Sequence, residues 1–165
     1  REAGVQLRFQ CETASLLIPG DPALIQKLLL TLISNSAKSA RPGEVTLTLE
    51  RRGEQALLRL GDRGEGSCLD ALSPPKEAGA RIPAPGDGAG MGLAIARHIV
   101  ELHQGTLLLG ERDGGGMLAL VSLPTGPLRM DLAVHTPAPE AAGGISPVLM
   151  ELADVLPLSL FHLEE

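Results

Sequence analysis

The stretch Asp87-Gly88-Ala89-Gly90-Met91-Gly92-Leu93 decides how this chain is read. Its three alternating glycines run into an apolar, helix-patterned segment over residues 93–103. Glycine weakens a helix or strand interior, so three together point to a backbone with unusual dihedrals or a close approach to another group. A glycine-rich turn opening a helix presents free N–H groups at the positive end of the helix dipole, which is an anion site. A phosphate is the ligand this stretch predicts. The same pattern occurs in plain loops, so its meaning depends on the rest of the chain.

Downstream, Leu93, Ile95, Ala96, Ile99, Val100 and Leu102 pattern the helix, and Gln104-Gly105 ends it. His98 and His103 are spaced i, i+5 and do not share a face, which argues against a metal pair and for surface or helix-end roles. Strands are predicted over residues 106–109 and 117–123, with a turn over 111–116. Its Gly114-Gly115-Gly116 precedes no helix and reads as a hairpin turn rather than a phosphate loop.

Upstream, residues 67–87 hold Pro74, Pro75, Pro83 and Pro85 and few large apolar side chains. A loop of this length in a compact domain is a lid, a binding loop or disordered, and the glycine motifs flanking this one on both sides favour a lid. Before it, a strand over 55–60 ends in Gly61-Asp62-Arg63-Gly64-Glu65-Gly66. A carboxylate there can accept a hydrogen bond from a ligand amino group while the loop passes close beneath; an ordinary turn aspartate looks the same. A strand over 45–50 forms a hairpin with it through Arg52-Gly53-Glu54.

Asp21-Pro22 reads as an N-cap followed by proline at the first helical position. The helix is predicted over 22–40, with Leu24, Leu28, Leu32 and Ile25, Leu29, Ile33 on its apolar face. Thr31, Asn35 and Lys38 share one side at i, i+4 and i+7. An amide oxygen can ligate Mg²⁺ and an ammonium can meet a phosphate; a solvated face is the plain alternative. Val5, Leu7, Phe9 and Cys11 alternate with polar residues, predicting a half-buried strand, and residues 16–18 a short second one.

The 165 residues suffice for one domain with a core, and aromatics at 1% leave that core to Leu, Val, Ile and Ala. A net charge of −6 without a basic block argues against a nucleic-acid partner. Cys11 and Cys68 have neither metal nor redox spacing and read as thiols of a reducing compartment. No apolar run is long enough to span a bilayer and Arg1-Glu2-Ala3-Gly4 is no signal peptide, so no direct membrane contact is expected of this chain. The expected organisation is a domain over 4–124 with its lid at 67–87, a Pro/Ala/Gly-rich linker over 125–147, and an apolar tail over 148–165. The tail would dock on the domain, mediate self-association or open a further segment.

Taken together, three motifs in fixed order on fixed element types resemble the ATP-binding catalytic domain of sensor histidine kinases. That domain belongs to the wider GHKL superfamily of gyrase, MutL-type and heat-shock-chaperone ATPases. Thr31-Leu32-Ile33-Ser34-Asn35-Ser36-Ala37-Lys38 resembles the family's N box. Asp62-Arg63-Gly64-Glu65-Gly66 resembles its first glycine box, and Gly88-Ala89-Gly90-Met91-Gly92-Leu93 its second. Residues 99–105 resemble the stretch that follows, and Leu123-Pro124 the usual end.

The resemblance implies an α/β fold: a two-layer sandwich of the Bergerat type, with a mixed sheet covered by helices on one face. It implies ATP and Mg²⁺, with Asn35 ligating the metal and Lys38 contacting a phosphate. Asp62 would accept from the adenine amino group, and Gly64 and Gly66 would let the backbone approach the base. Gly88, Gly90 and Gly92 would hinge the lid and offer N–H groups to the phosphates, with Met91 and Leu93 also in the ATP-binding site. The implied activity is that of a cytoplasmic protein histidine kinase, catalytic part only. Its partners would be a histidine-containing dimerisation domain and a response regulator receiver domain.

Departures from the family pattern shape the expectation. Hydrolysing branches carry a glutamate four residues before the N-box asparagine; here Thr31 stands there, so phosphoryl transfer rather than hydrolysis is expected. Kinases of the family usually carry asparagine at that position, and the lid lacks their phenylalanine-rich box. None of His98, His103, His135 or His162 has the setting of a phosphoacceptor, which is therefore expected outside this chain. A degenerate nucleotide-binding or docking module and an anti-sigma-type serine kinase are the alternatives.

Overall fold

The computed structural model describes residues 4–40, 43–63, 89–112 and 115–126, together with Val148, Leu152, Ala153, Val155 and Leu156. The elements in order are β1 (Val5–Cys11), α1 (Pro22–Ser39), β2 (Gly43–Arg52), β3 (Gln55–Asp62), α2 (Ala89–Leu102), β4 (Thr106–Glu111) and β5 (Met117–Pro124). The strands form one five-stranded sheet in the order β1-β2-β3-β5-β4. β1 and β2 run parallel, and the other neighbours are antiparallel. The sheet is thus mixed, and both helices pack on one face of it, as the α/β expectation required.

Strand periodicity explains the core. Side chains alternate between faces, so Val45 and Leu47, then Ala56, Leu58 and Leu60, then Ala119, Val121 and Leu123 line one face. Leu28 and Leu32 of α1 and Leu93, Ala96, Ile99 and Val100 of α2 close over it. Each fully buried leucine contributes about 1.5–3 kcal/mol relative to an exposed one. Asp21 caps α1 as the sequence predicts, its Oδ1 accepting from the N–H groups of Ala23 at 2.8 Å and Leu24 at 3.3 Å.

α2 ends differently from a glycine-capped helix. The left-handed residue is Gln104, at φ 56°. The Gly105 N–H donates to Val100 O at 2.9 Å and the Gln104 N–H to Glu101 O at 2.9 Å, a Schellman pairing. Gly105 is needed for proximity: a Cβ there would lie 2.7 Å from Leu123 Cδ2 and 3.0 Å from Val100 Cγ1.

Three expectations from the sequence need correction. Residues 16–18 form no strand; Leu16 and Ile18 pack against the core through side chains, and Leu17 O accepts from the Gly126 N–H. A run this short, closed by Pro19, meets the domain without a ladder. β1 is not half-buried: Leu7 is 50% and Phe9 61% exposed, because an edge strand paired only with β2 projects past the cover of α1. α2 begins at Ala89 rather than at Leu93, so Gly90 and Gly92 belong to its first turn.

Candidate functional site

Thr31, Asn35 and Lys38 climb one side of α1 from inside to outside: Thr31 is buried, Asn35 half-buried and Lys38 exposed. α2 crosses α1 at this point. A Cβ built on Gly92 would lie 3.2 Å from Thr31 Cγ2, 3.5 Å from Asn35 Nδ2 and 3.7 Å from Asn35 Oδ1. Gly92 therefore brings the start of α2 directly onto the Asn35 amide, which explains a glycine inside a helix that would otherwise disfavour it. Leu93, the next residue, is buried in the core and anchors this turn.

Asn35 Nδ2 is buried and makes no hydrogen bond within the protein. Such a group costs roughly 1–3 kcal/mol unless something satisfies it. The N–H groups of Ala89, Gly90 and Met91, in the first turn of α2, have no intrahelical carbonyl to donate to. An unspent amide and a helix N-terminus thus face the same crossing. Thr31 adds no base: its methyl group packs toward Gly92, as a helix-to-helix contact.

Asp62 lies at the other end of the same logic. Continuing the Ala56, Leu58, Leu60 alternation places it on the core face, opposite Val45, where it is 0% exposed. The Met117 N–H donates to its Oδ1 at 3.1 Å. A buried carboxyl group oriented in this way can read a donor on a ligand. The turn glycines read as a mere hairpin feature contribute here: Gly116, at φ +96°, packs against the Asp62 backbone and carboxyl group. Sequence reasoning missed this residue, because no local pattern links positions 62 and 116.

The structure therefore brings Thr31, Asn35, Gly92 and Leu93 together at the α1–α2 crossing and buries Asp62 at the end of β3. Gly64, Gly66, Gly88, most of the 125–147 segment and the 67–87 lid lie outside the described residues, and Gly90 and Met91 are described in backbone only. Cys11 is a free, exposed thiol, and no cluster of three metal-ligating side chains occurs among the described residues.

Residues 20–127 match the family described as histidine kinase-, DNA gyrase B-, and HSP90-like ATPase. The chain belongs to this ATPase family. Among curated relatives of this ATPase domain is the C4-dicarboxylate transport sensor protein DctS of Rhodobacter capsulatus, 34% identical over 140 residues. That match takes in 74% of this chain and 20% of the relative. The histidine protein kinase DivJ of Caulobacter vibrioides is 32% identical over 141 residues, 83% of this chain and 23% of DivJ. The chain thus spans under a quarter of the length of either relative. Among solved structures, the mycobacterial sensor histidine kinase MprB superposes with TM-score 0.61 at 22% identity, covering 78% of this chain and 87% of that one. Full-length ShkA in complex with AMPPNP gives TM-score 0.59 at 24% identity, covering 75% of this chain and 26% of that one. These likenesses establish the fold. The relatives of this ATPase domain are sensor histidine kinases.

Proposed function

We propose that this chain is the ATP-binding catalytic domain of a two-component sensor histidine kinase, presenting the γ-phosphate of Mg-ATP to a histidine on a separate dimerisation domain. The observation that carries the reading is the approach of Gly92 to Asn35, whose buried amide makes no hydrogen bond within the protein at Nδ2. An acceptor from outside the chain, such as a phosphate oxygen, answers the deficit at Nδ2 and leaves Oδ1 to a metal.

In this reading Asp62 accepts from the adenine amino group, and Gly64 and Gly66 let the backbone lie against the base. The N–H groups of Gly88, Gly90 and Met91 donate to phosphate oxygens, reinforced by the helix dipole of α2, and Leu93 fixes that turn in the core. The Lys38 ammonium meets a phosphate from the exposed end of the α1 face. Asn35 Oδ1 is a hard oxygen donor of the kind Mg²⁺ takes while keeping several waters. Mg²⁺, when bound, supplies neutralisation of phosphate charge. Catalysis by the chain itself is positioning and electrostatics; the attacking imidazole comes from the partner domain, and a response regulator receives the phosphoryl group next. Thr31, buried with its methyl toward Gly92, favours transfer over hydrolysis, since no carboxylate stands there to activate water.

The domain boundaries proposed are 4–124 for the ATP-binding unit with a lid over 67–87, then a linker over 125–147 and a docking or connecting tail. The proposed setting is cytoplasmic; no described helix is long and apolar enough to cross a membrane. Calorimetric titration with AMPPNP, with and without Mg²⁺, tests the nucleotide reading. Micromolar-range binding that Asp62→Asn abolishes supports it; no binding to the folded wild type overturns it in favour of a degenerate docking module.

A further inference from the structure

We infer that Gly116 is a positioning residue for the Asp62 carboxyl group, and that it sets how strictly the chain separates adenine from a purine lacking the 6-amino group. The inference rests on the reading of Asp62 as the base-recognising residue. It adds a second, distant segment to that recognition.

Four observations converge on the contact. The β3–β5 ladder ends at the pair Gly61 and Leu118, so Asp62 runs one residue beyond it. The chain entering β5 folds over that residue: a Cβ built on Gly116 would fall 2.8 Å from the Asp62 carbonyl carbon and 2.9 Å from Oδ1. Gly116 also has φ +96°, a conformation that an L side chain rarely adopts. The next N–H, that of Met117, donates to Asp62 Oδ1 at 3.1 Å. The absence of a side chain at 116 is what allows the Met117 N–H to reach Oδ1 and leaves the carboxyl group in one orientation.

The turn holding Gly116 is itself fixed. The Arg112 N–H donates to Gly116 O, and the Gly115 N–H to Arg112 O, both at 2.9 Å. Gly116 cannot retreat without breaking that turn, so a side chain there displaces the Asp62 end of β3. A carboxyl group moved by even a fraction of an ångström loses a directional bond to an amino group but leaves the phosphate contacts in place.

The test compares binding of the adenosine and inosine β,γ-imido triphosphates to the wild type, Gly116→Ala and Gly53→Ala. The two ligands share their phosphates and differ only at the base edge, where the 6-amino donor and N1 acceptor of adenine become a 6-oxo acceptor and an N1–H donor. Gly53→Ala controls for strain: it has φ +60° and nothing within 4 Å of a built Cβ. The expected wild-type preference for adenosine is about 10- to 100-fold, the range of a hydrogen bond to a charged group. Gly116→Ala should reduce this preference to about threefold or less, with inosine affinity little changed, while Gly53→Ala keeps it. An unaltered preference in a folded Gly116→Ala overturns the inference and leaves the nucleotide site standing. If wild type binds neither ligand, the reading of Asp62 falls and the inference with it. Should Gly116→Ala not fold, the wild-type Met117 amide resonance decides: perturbation by the adenosine but not the inosine ligand supports the inference, and equal perturbation by both overturns it.

Discussion

His103 Nε2 accepts a hydrogen bond from the Asp21 N–H at 3.1 Å, joining the end of α2 to the N-cap of α1 across 82 positions of sequence. Its Nδ1 lies 2.7 Å from Ile99 O, an acceptor, so Nδ1 is the donor of this clasp. Gly20 completes it, because a Cβ there would collide with the His103 ring. The helix-end role expected for His103 is thus a buried tie between the two helices that carry Asn35 and Gly92. His103→Ala should destabilise the domain by about 2–3 kcal/mol, chiefly from the cavity, with a smaller share from the part-buried Asp21 donor. Urea denaturation with an unchanged m-value is the measurement, and a loss under 0.5 kcal/mol would sink the assignment.

Ser36 offers the opposite sign. It continues the buried stripe Leu28, Leu32, Ser36, Ala40, and its Oγ makes no hydrogen bond within the protein. Ser36→Ala removes an unsatisfied hydroxyl and should stabilise by about 1 kcal/mol. A rise in the urea midpoint, with AMPPNP affinity unchanged, is the expected result.

At the helix crossing the prediction is a coupling. Gly92→Ala gains helix propensity of about 1 kcal/mol but sets a methyl 3.2 Å from Thr31 Cγ2 and 3.5 Å from Asn35 Nδ2. AMPPNP affinity should fall about tenfold as the Asn35 amide shifts, a loss near 1.4 kcal/mol. Thr31→Ser deletes Cγ2 and should restore part of it. A double-mutant cycle should read a coupling of about 0.5–1 kcal/mol; strict additivity would refute the contact as the cause.

Exposure separates two apolar residues that look alike in sequence. Phe9→Thr, at a side chain 61% exposed, should change stability by less than about 0.5 kcal/mol. Leu60→Ala, at 1% exposed, should cost about 2–5 kcal/mol. Equal losses in thermal or urea unfolding would contradict the edge position of β1.

Those two residues also show what the sequence could and could not tell. Alternation correctly made β1 a strand, but the strand expected to end at residue 60 runs on to Asp62, and only that extension puts the carboxyl group at a buried position. It could not say that β1 would be an edge, since strand order arises from pairings remote in sequence. Asp21-Pro22 marked the start of α1 through capping, a local effect. The start of α2 was misplaced because Gly90 and Gly92 have poor helix propensity, and tertiary packing of Gly92 on α1 overrides it. The tie between Gly116 and Asp62 had no local signature at all.

The strand order has a kinetic consequence. β2 with β3 and β4 with β5 are hairpins that close over a few residues, whereas β3 meets β5 only across a long intervening segment. The bond from Met117 to Asp62 spans 55 positions and forms when the two hairpins join. Such non-local closure is the slow event in topologies of this kind. Asp62 acquires its fixed orientation only at that step, so a nucleotide recognised through it has no site on the separate hairpins. Ligand should therefore slow unfolding and leave the refolding rate nearly untouched.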